Sequence, residues 1–401
     1  MPTNEQVVEA QKGVIDTVSA LATSGKLSPL QSDKFIDFVI DLMQLQGNVR
    51  VARFSNEEMY IDKIGVGRRV AMPAAEGQDP GVRRGVTTSR VTLKPVEIMV
   101  PVELTDTVKE INLEGDSFED HALKIITTQL GNDSEELQWN GDTVGHAVIQ
   151  SDIYPGGSST LHVKDSYLAL LDGILRLADT NTHVVDLSGL QVGSTAFSKC
   201  INAMPAKFKR SRRDMRFMVS IDTEQNYREK LGGRATALGD DAIQGDKPMK
   251  SFGIPVMSFP LFPHRPRIVQ HIVLPSTTAV ALRYKGVENV VVHVSTLDAT
   301  PTAALLLTTD YVLDAAAGTV ARSGGGSAIA DGATVKVTYD ALPQIVLTHF
   351  KNIVVGIGRD IRIEKDRDIF KRVNQYAITF KMAVAFEEPD AVVKGINLAN
   401  G

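Results

Sequence analysis

Asn352-Ile-Val-Val-Gly-Ile-Gly-Arg-Asp-Ile-Arg-Ile-Glu-Lys-Asp-Arg-Asp-Ile-Phe370 decides how this chain is read. It opens as an apolar run suited to a buried strand and passes into a segment where apolar and charged residues alternate. Successive side chains on a strand point to opposite faces. Ile361 and Ile363 are therefore expected to face a core. Arg359, Asp360, Arg362, Glu364, Lys365, Asp366, Arg367 and Asp368 supply a dense line of both signs beside them. Mixed charge of this density sets register and partner choice more than raw affinity. The pattern predicts a surface that meets copies of the same chain rather than a catalytic pocket.

The chain as a whole leaves room for this reading. Its 401 residues can form two or three domains with their own cores. Lys plus Arg is 43 against 48 Asp plus Glu, a formal charge of -5. Binding to nucleic acid would thus have to come from a local patch. Cys200 is the single cysteine, so no intrachain disulfide and no multi-cysteine zinc site can form. Set among Ala196, Phe197 and Ile201, it reads as a buried thiol. Residues 1–25 carry Glu5, Glu9, Lys12 and Asp16 and lack the apolar core of a leader. No run approaches the ~20 apolar residues that span a bilayer. A soluble product with no membrane partner is expected.

Upstream, Val7, Val8, Gln11, Val14, Ile15, Val18, Leu21 and Ala22 fall at helical spacing. A second helix begins at Ser28-Pro29, a cap followed by a first-turn proline, and carries Leu30, Phe35, Phe38, Val39 and Leu42. Residues 90–104 read as one long alternating strand. Before it, 65–85 is rich in Gly, Pro and charge, the tip of a hairpin with too little apolar content to pack on its own. Ser117 with Asp120 resembles a capping box, and Phe118, Ala122, Ile126, Leu130 and Leu137 predict a helix over 118–139. Further helices are expected over 164–178, over 193–204 and from Thr223, with strands at 217–221 and 254–259. Between 272 and 340, short apolar runs at Ile272, Val290–Val294, Leu305–Leu307, Tyr311–Leu313 and Ala333–Tyr339 alternate with Gly turns. That spacing predicts a small β-sandwich or barrel.

Catalytic and cofactor motifs are weak. Ser323-Gly-Gly-Gly-Ser327 has no following Lys and opens no helix, so it reads as a turn. His264 and His271 are separated by Pro266, which breaks helical metal spacing. The adjacent carboxylates Glu135-Glu136 and Asp240-Asp241 read as solvated. No catalytic residue, cofactor or metal is expected. Lys207, Lys209, Arg210, Arg212, Arg213 and Arg216 place six cations within ten residues, a cluster that faces either DNA phosphates or a neighbouring subunit. Arg68, Arg69, Glu76, Asp79, Arg83 and Arg84 mark the projecting tip and are expected to form inter-subunit salt bridges.

This order of elements resembles the major capsid proteins of tailed bacteriophages, with the Hong Kong ninety-seven type coat fold. The resemblance rests on Leu27-Ser-Pro-Leu in the arm, Trp139-Asn-Gly-Asp142 closing the helix, and Met204-Pro205 and Phe252-Gly-Ile-Pro-Val256. It also rests on Asn352–Arg372 and on Ala377–Val393. It implies an α+β fold: an N-terminal helical arm (1–50), an extended β-hairpin loop with flanking strands (51–104), and a peripheral domain with a spine helix (105–164). An axial domain (165–271), a β-rich insertion domain (272–343) and a return to the axial and peripheral sheet (344–401) follow. The resemblance implies a non-enzymatic protein that assembles as hexamers and pentamers into an icosahedral virion shell in the host cytoplasm. That shell would enclose double-stranded DNA without reading its sequence. A portal protein is an implied partner, with a decoration protein and a scaffolding protein as further candidates. With only about fifty residues before the sheet, scaffolding would be a separate protein or none. The tip at 65–85 has no Lys, against the lysine crosslink of some members. Two alternatives stay open here: an encapsulin-like nanocompartment, and a β-rich glycan- or cell-binding protein.

Overall fold

The protein is described by a computed structural model at residues 44–45, 47–54, 57–65, 87–105, 118–143, 147–149, 162–180, 183–233, 249–294, 305, 307–324 and 328–399. The two expected N-terminal helices and Ser117 lie outside these residues, apart from a turn ahead of β1 (Arg50–Arg53). β2 (Met59–Gly65) and β3 (Thr87–Leu93) form an antiparallel hairpin whose connection, 66–86, also lies outside. The long strand expected over 90–104 is in fact two. β3 stops at Leu93, and β4 (Val96–Thr105) starts after Pro95 in a different sheet. Pro95 has no N–H to give a ladder, so the strand is interrupted there.

α1 (Phe118–Asn140) is 23 residues long, about 35 Å at ~1.5 Å per residue. β5 (Ala147–Ile149) and β6 (His162–Lys164) pair as a small ribbon. The helix expected over 164–178 shrinks to α2 (Ile174–Asp179). Asp165 accepts from the amides of Tyr167 (2.8 Å) and Leu168 (3.2 Å), a side-chain turn that competes with helix in this stretch. Next come β7 (Val184–Asp186), α3 (Ser194–Ala203), β8 (Met215–Ser220) and α4 (Ile221–Gly232). Ser220 Oγ accepts from the Thr223 amide at 3.2 Å, which caps α4 and starts it two residues before the expected Thr223. β9 (Lys250–Ser251) and β10 (Ile254–Phe259) close this part of the chain.

Six strands follow: β11 (Arg267–Leu274), β12 (Val280–Ala281), β13 (Glu288–Val294), β14 (Tyr311–Asp314), β15 (Thr319–Arg322) and β16 (Ala333–Asp340). They make two three-stranded sheets, β11-β16-β13 and β12-β15-β14. Leu274, Tyr284, Val292, Val320, Val335, Val337 and Tyr339 fill one core between them. Of the strand expected at Leu305–Leu307, Leu305 is irregular and Leu307 makes an isolated bridge to Tyr311, while Leu306 lies outside the described residues.

β17 (Ile345–His349), β18 (Ile353–Asp368), β19 (Val373–Phe386) and β20 (Val393–Ile396) complete two larger sheets, ordered β1-β18-β19-β4 and β7-β20-β17-β8-β10-β9. The six-stranded sheet is covered on both faces. Phe217 and Val219 of β8 pack with Phe197 and Cys200 of α3 and Tyr227 of α4. Met218, between them, points the other way, into a cluster with Trp139, Ile174, Phe259 and Leu45. Two buried faces account for the apolar run Phe217–Val219 of β8. α1 lies over the other sheet, where Leu130 and Leu137 meet Ile98, Ile378 and Phe380. Ala122 meets Val102, Leu104 and Tyr376. Each such side chain contributes about 1.5–3 kcal/mol when fully buried, so α1 and the sheet hold each other in place.

Candidate functional site

The deciding stretch becomes β18. Its first half is central: β1 pairs with Val354–Ile357 on one side and β19 lies on the other. Gly356 allows this, because a Cβ there would stand 2.9 Å from Phe54 and 3.0 Å from Leu93, too close for either ring or side chain to stay. Register shifts on both sides of Arg359 then break the regular alternation. Beyond them, among the described residues, β18 pairs only with β19. Ile363 is 49% exposed although it sits opposite the buried Ile378, which corrects the expectation of a buried Ile361/Ile363 face. The side chain of Ile361 lies outside the described residues. The physical reason is coverage: α1 packs on β4 and β19 and does not reach the distal half of β18.

The charges of this hairpin are exposed. Arg362 pairs with Glu364 at 2.7 Å. Arg359 and Lys381 both reach Glu97 of β4, and the Arg359 guanidinium holds that carboxyl below the usual range. At the turn, Asp368 accepts from the amides of Phe370 (3.0 Å) and Lys371 (3.1 Å). Ile369 and Phe370 at the tip stand in solvent. Each exposed pair contributes at most about 1 kcal/mol to the subunit.

The basic cluster occupies the connection between α3 and β8. Lys207, Arg210, Arg212 and Arg213 are exposed. Lys207 lies 3.6 Å from Asp390, and Lys209 donates to the Asn202 carbonyl. Arg216 is turned inward, donating to the Met215 carbonyl at 2.7 Å and lying over the Phe350 ring. Five of the six cations thus share one surface, and Arg216 supports it. The tip residues Arg68, Arg69, Glu76, Asp79, Arg83 and Arg84 lie outside the described residues, as do Asp240 and Asp241.

Glu135 is not solvated as expected. It is fully buried, and its carboxylate accepts from the Gln44 amide at 2.8 Å and the Leu45 amide at 3.0 Å. Adjacent helical residues point about 100° apart, so Glu136 has a different environment. Burial raises the Glu136 carboxyl, helped by the charges of Asp133 and Asp165, and burial also raises Asp133. Acids whose pKa is raised on folding contribute stability below their unfolded pKa, about 4, and lose it as pH rises through the folded value. Glu136→Gln should therefore raise the urea midpoint at pH 7 and leave it unchanged at pH 4. An equal shift at both pH values would rule out this account.

A buried ionic junction was invisible in the sequence. Asp142, just past α1, lies 3.5 Å from Arg176 of α2 and 3.0 Å from Arg283 of the β12–β13 connection. Arg283 also pairs with Asp179 of α2, to which the Tyr284 hydroxyl donates. Lys394 of β20 lies 2.6 Å from Asp179 and donates to the Leu175 carbonyl at 3.0 Å. Burial pulls the Lys394 amine down to about 8, against the attraction of Asp179. Burial would raise Asp179, but Lys394 and Arg283 hold it below the usual range. Both members are therefore ionised at neutral pH. The junction joins the end of α1, both sandwich sheets' connection and the six-stranded sheet. Among the described residues no group of three or more His, Cys, Asp or Glu could hold a metal, and no helix is long and apolar enough to cross a membrane.

A spine helix across one sheet, a two-faced sheet beside it and projecting hairpins make up the coat fold of tailed bacteriophages, the Hong Kong ninety-seven type. The chain has this fold. It is 29% identical over 380 residues to a Bacillus subtilis (strain 168) protein whose provisional name is prophage capsid protein YqbE, covering 94% of each chain. The capsid of a native GTA particle matches with a TM-score of 0.52 at 12% identity, over 96% of this chain and 99% of that one. The satellite phage P4 procapsid that includes the size determination protein matches with a TM-score of 0.50 at 9% identity, over 100% and 99%. No family model matches the chain.

Proposed function

We propose that this is the major capsid protein, assembling as hexamers and pentamers into an icosahedral shell around double-stranded DNA. The observation that carries the reading is the distal β18–β19 hairpin. Its β19 strand is buried against α1 and β4, but the described side chains of β18 from Arg362 to Arg367 are exposed and charged with both signs around Ile363, and the turn is tipped by the exposed Ile369 and Phe370. Closed shells need heterologous contacts whose rotation closes, and a projecting hairpin can reach a neighbour to make one. The tip at 65–85 serves the same end in this reading, through Arg68, Arg69, Glu76, Asp79, Arg83 and Arg84. The exposed cations between Lys207 and Arg213 suit sequence-independent contact with DNA phosphates or with a neighbouring subunit. A portal protein, and where used a scaffolding or decoration protein, complete the partner set, with assembly in the host cytoplasm.

Electron microscopy of the expressed chain, alone and with its neighbouring genes, tests this. Closed shells are expected; a chain that stays monomeric at high concentration, scaffold supplied, would sink the reading. Arg362→Glu combined with Arg367→Glu should abolish or deform shells. The melting temperature should move by no more than surface substitutions allow, about 0.5 kcal/mol in stability. A large loss of stability would instead make these residues supports of the subunit itself.

A further inference from the structure

Among the described residues, seven non-glycine residues have positive φ: Ser188, Phe252, Ser276, Asn289, Thr308, Arg372 and Asn397. Phe252 is the only apolar one. It sits with Gly253 (φ 52 and 82) in the two-residue turn joining β9 to β10, where Ser251 pairs with Ile254. Positive φ at both central residues is the type I′ hairpin turn, which strongly prefers Asn-Gly or Asp-Gly. A bulky residue in the first position is strained. Burial of the ring in its own subunit could offset that strain, but Phe252 is 52% exposed. Nothing stands within 4 Å of the position a Cβ would take on Gly253, so the turn is open to approach. β9, two residues long, is the terminal strand of the six-stranded sheet among the described residues.

We infer that Phe252 is an inter-subunit knob, whose ring enters an apolar surface on a second copy of this chain. The inference rests on the shell reading, which sets copies of one chain side by side. Strain retained at an exposed position is explained when the ring becomes buried only in the assembly. Aromatic anchors seated in a neighbour's pocket dominate the energy of such contacts. The turn geometry supplies an unusual control, because the residue best suited to the backbone is the one least suited to the contact.

The full chain carrying Phe252→Asn is compared with wild type and Phe252→Tyr, in thermal unfolding of the unassembled subunit and in concentration-dependent assembly. Phe252→Asn should melt at or above the wild-type temperature, since Asn accepts positive φ. It should need about tenfold more protein to form shells, the equivalent of ~1.4 kcal/mol per contact. Phe252→Tyr should assemble as wild type does. Shells from Phe252→Asn at the wild-type concentration would overturn the inference and leave the shell reading intact. A lower melting temperature for Phe252→Asn would also overturn it, by placing the ring within its own subunit. A wild-type chain that forms no shell under any condition would instead overturn the shell reading, and the knob with it.

Discussion

Replacing Asp179 by alanine should destabilise the folded subunit by about 3–5 kcal/mol, the usual result of removing one member of a buried ion pair. Asp179 is the shared partner of Lys394, Arg283 and the Tyr284 hydroxyl. Lys394 is only 1% exposed and would lose the carboxylate that keeps its amine protonated in the interior, leaving it one carbonyl and one hydroxyl as partners. Urea unfolding measures this as a fall in midpoint at constant slope. The double variant Asp179→Ala, Lys394→Met should recover much of the loss, because no orphaned ammonium remains. If the double variant is as unstable as the sum of the singles, the junction is not electrostatically coupled. Arg283 keeps Asp142 in both variants, so the sandwich connection stays partly anchored.

Replacing Glu135 by leucine should cost about 2–4 kcal/mol and free the entry of the chain into the fold. Its carboxylate takes the amides of Gln44 and Leu45, and bonds to a charged acceptor contribute about 1.5–3 kcal/mol. Leu45 is seated through them against Trp139, Ile174 and Met218. Glu135→Gln keeps the shape but offers one acceptor and a misplaced NH2 donor, so it should fall between. Limited proteolysis reads the second consequence: cleavage near residues 44–54 should appear in Glu135→Leu at temperatures where the rest of the subunit is intact. Cleavage at the wild-type rate would show that the apolar seat of Leu45 is sufficient alone.

Much of the fold could be read from local patterns. The period of Phe118, Ala122, Ile126, Leu130 and Leu137 marks α1 because one stripe of that helix meets one sheet. The alternation in β18 and the short strands between Ile272 and Tyr339 are also local signals. Pro95 was equally legible, yet the alternation on both sides of it concealed the change of sheet. What could not be read is whatever depends on distant coverage. Ile363 looks like a core residue by spacing and is exposed because α1 ends its cover at β19. Glu135 and Glu136 are the same letter twice, separated by the angle between neighbouring helix positions. The residues of the ionic junction, 142, 176, 179, 283, 284 and 394, come together only once three layers are stacked. Phe252 sits in a stretch that carries the resemblance, yet its role is marked only by an aromatic ring where a turn ordinarily takes Asn.

The two chain ends of the β-sandwich leave it side by side. Arg267, which opens β11, is paired across the sheet with Asp340, which closes β16, and the two side chains meet at 3.3 Å. The rest of the subunit therefore experiences the intervening residues as a gap about one strand spacing wide, ~4.8 Å. A module entered and left at such a gap is exchangeable by design: a foreign domain with adjacent termini can be grafted between positions 266 and 341. The graft must bring its own cation for Asp179 and Asp142, or these must be neutralised along with Lys394. On the shell reading this makes the sandwich a display position addressable by gene fusion, and entry requires replacing the contacts of Arg283, Tyr284 and Lys285 with the rest of the subunit.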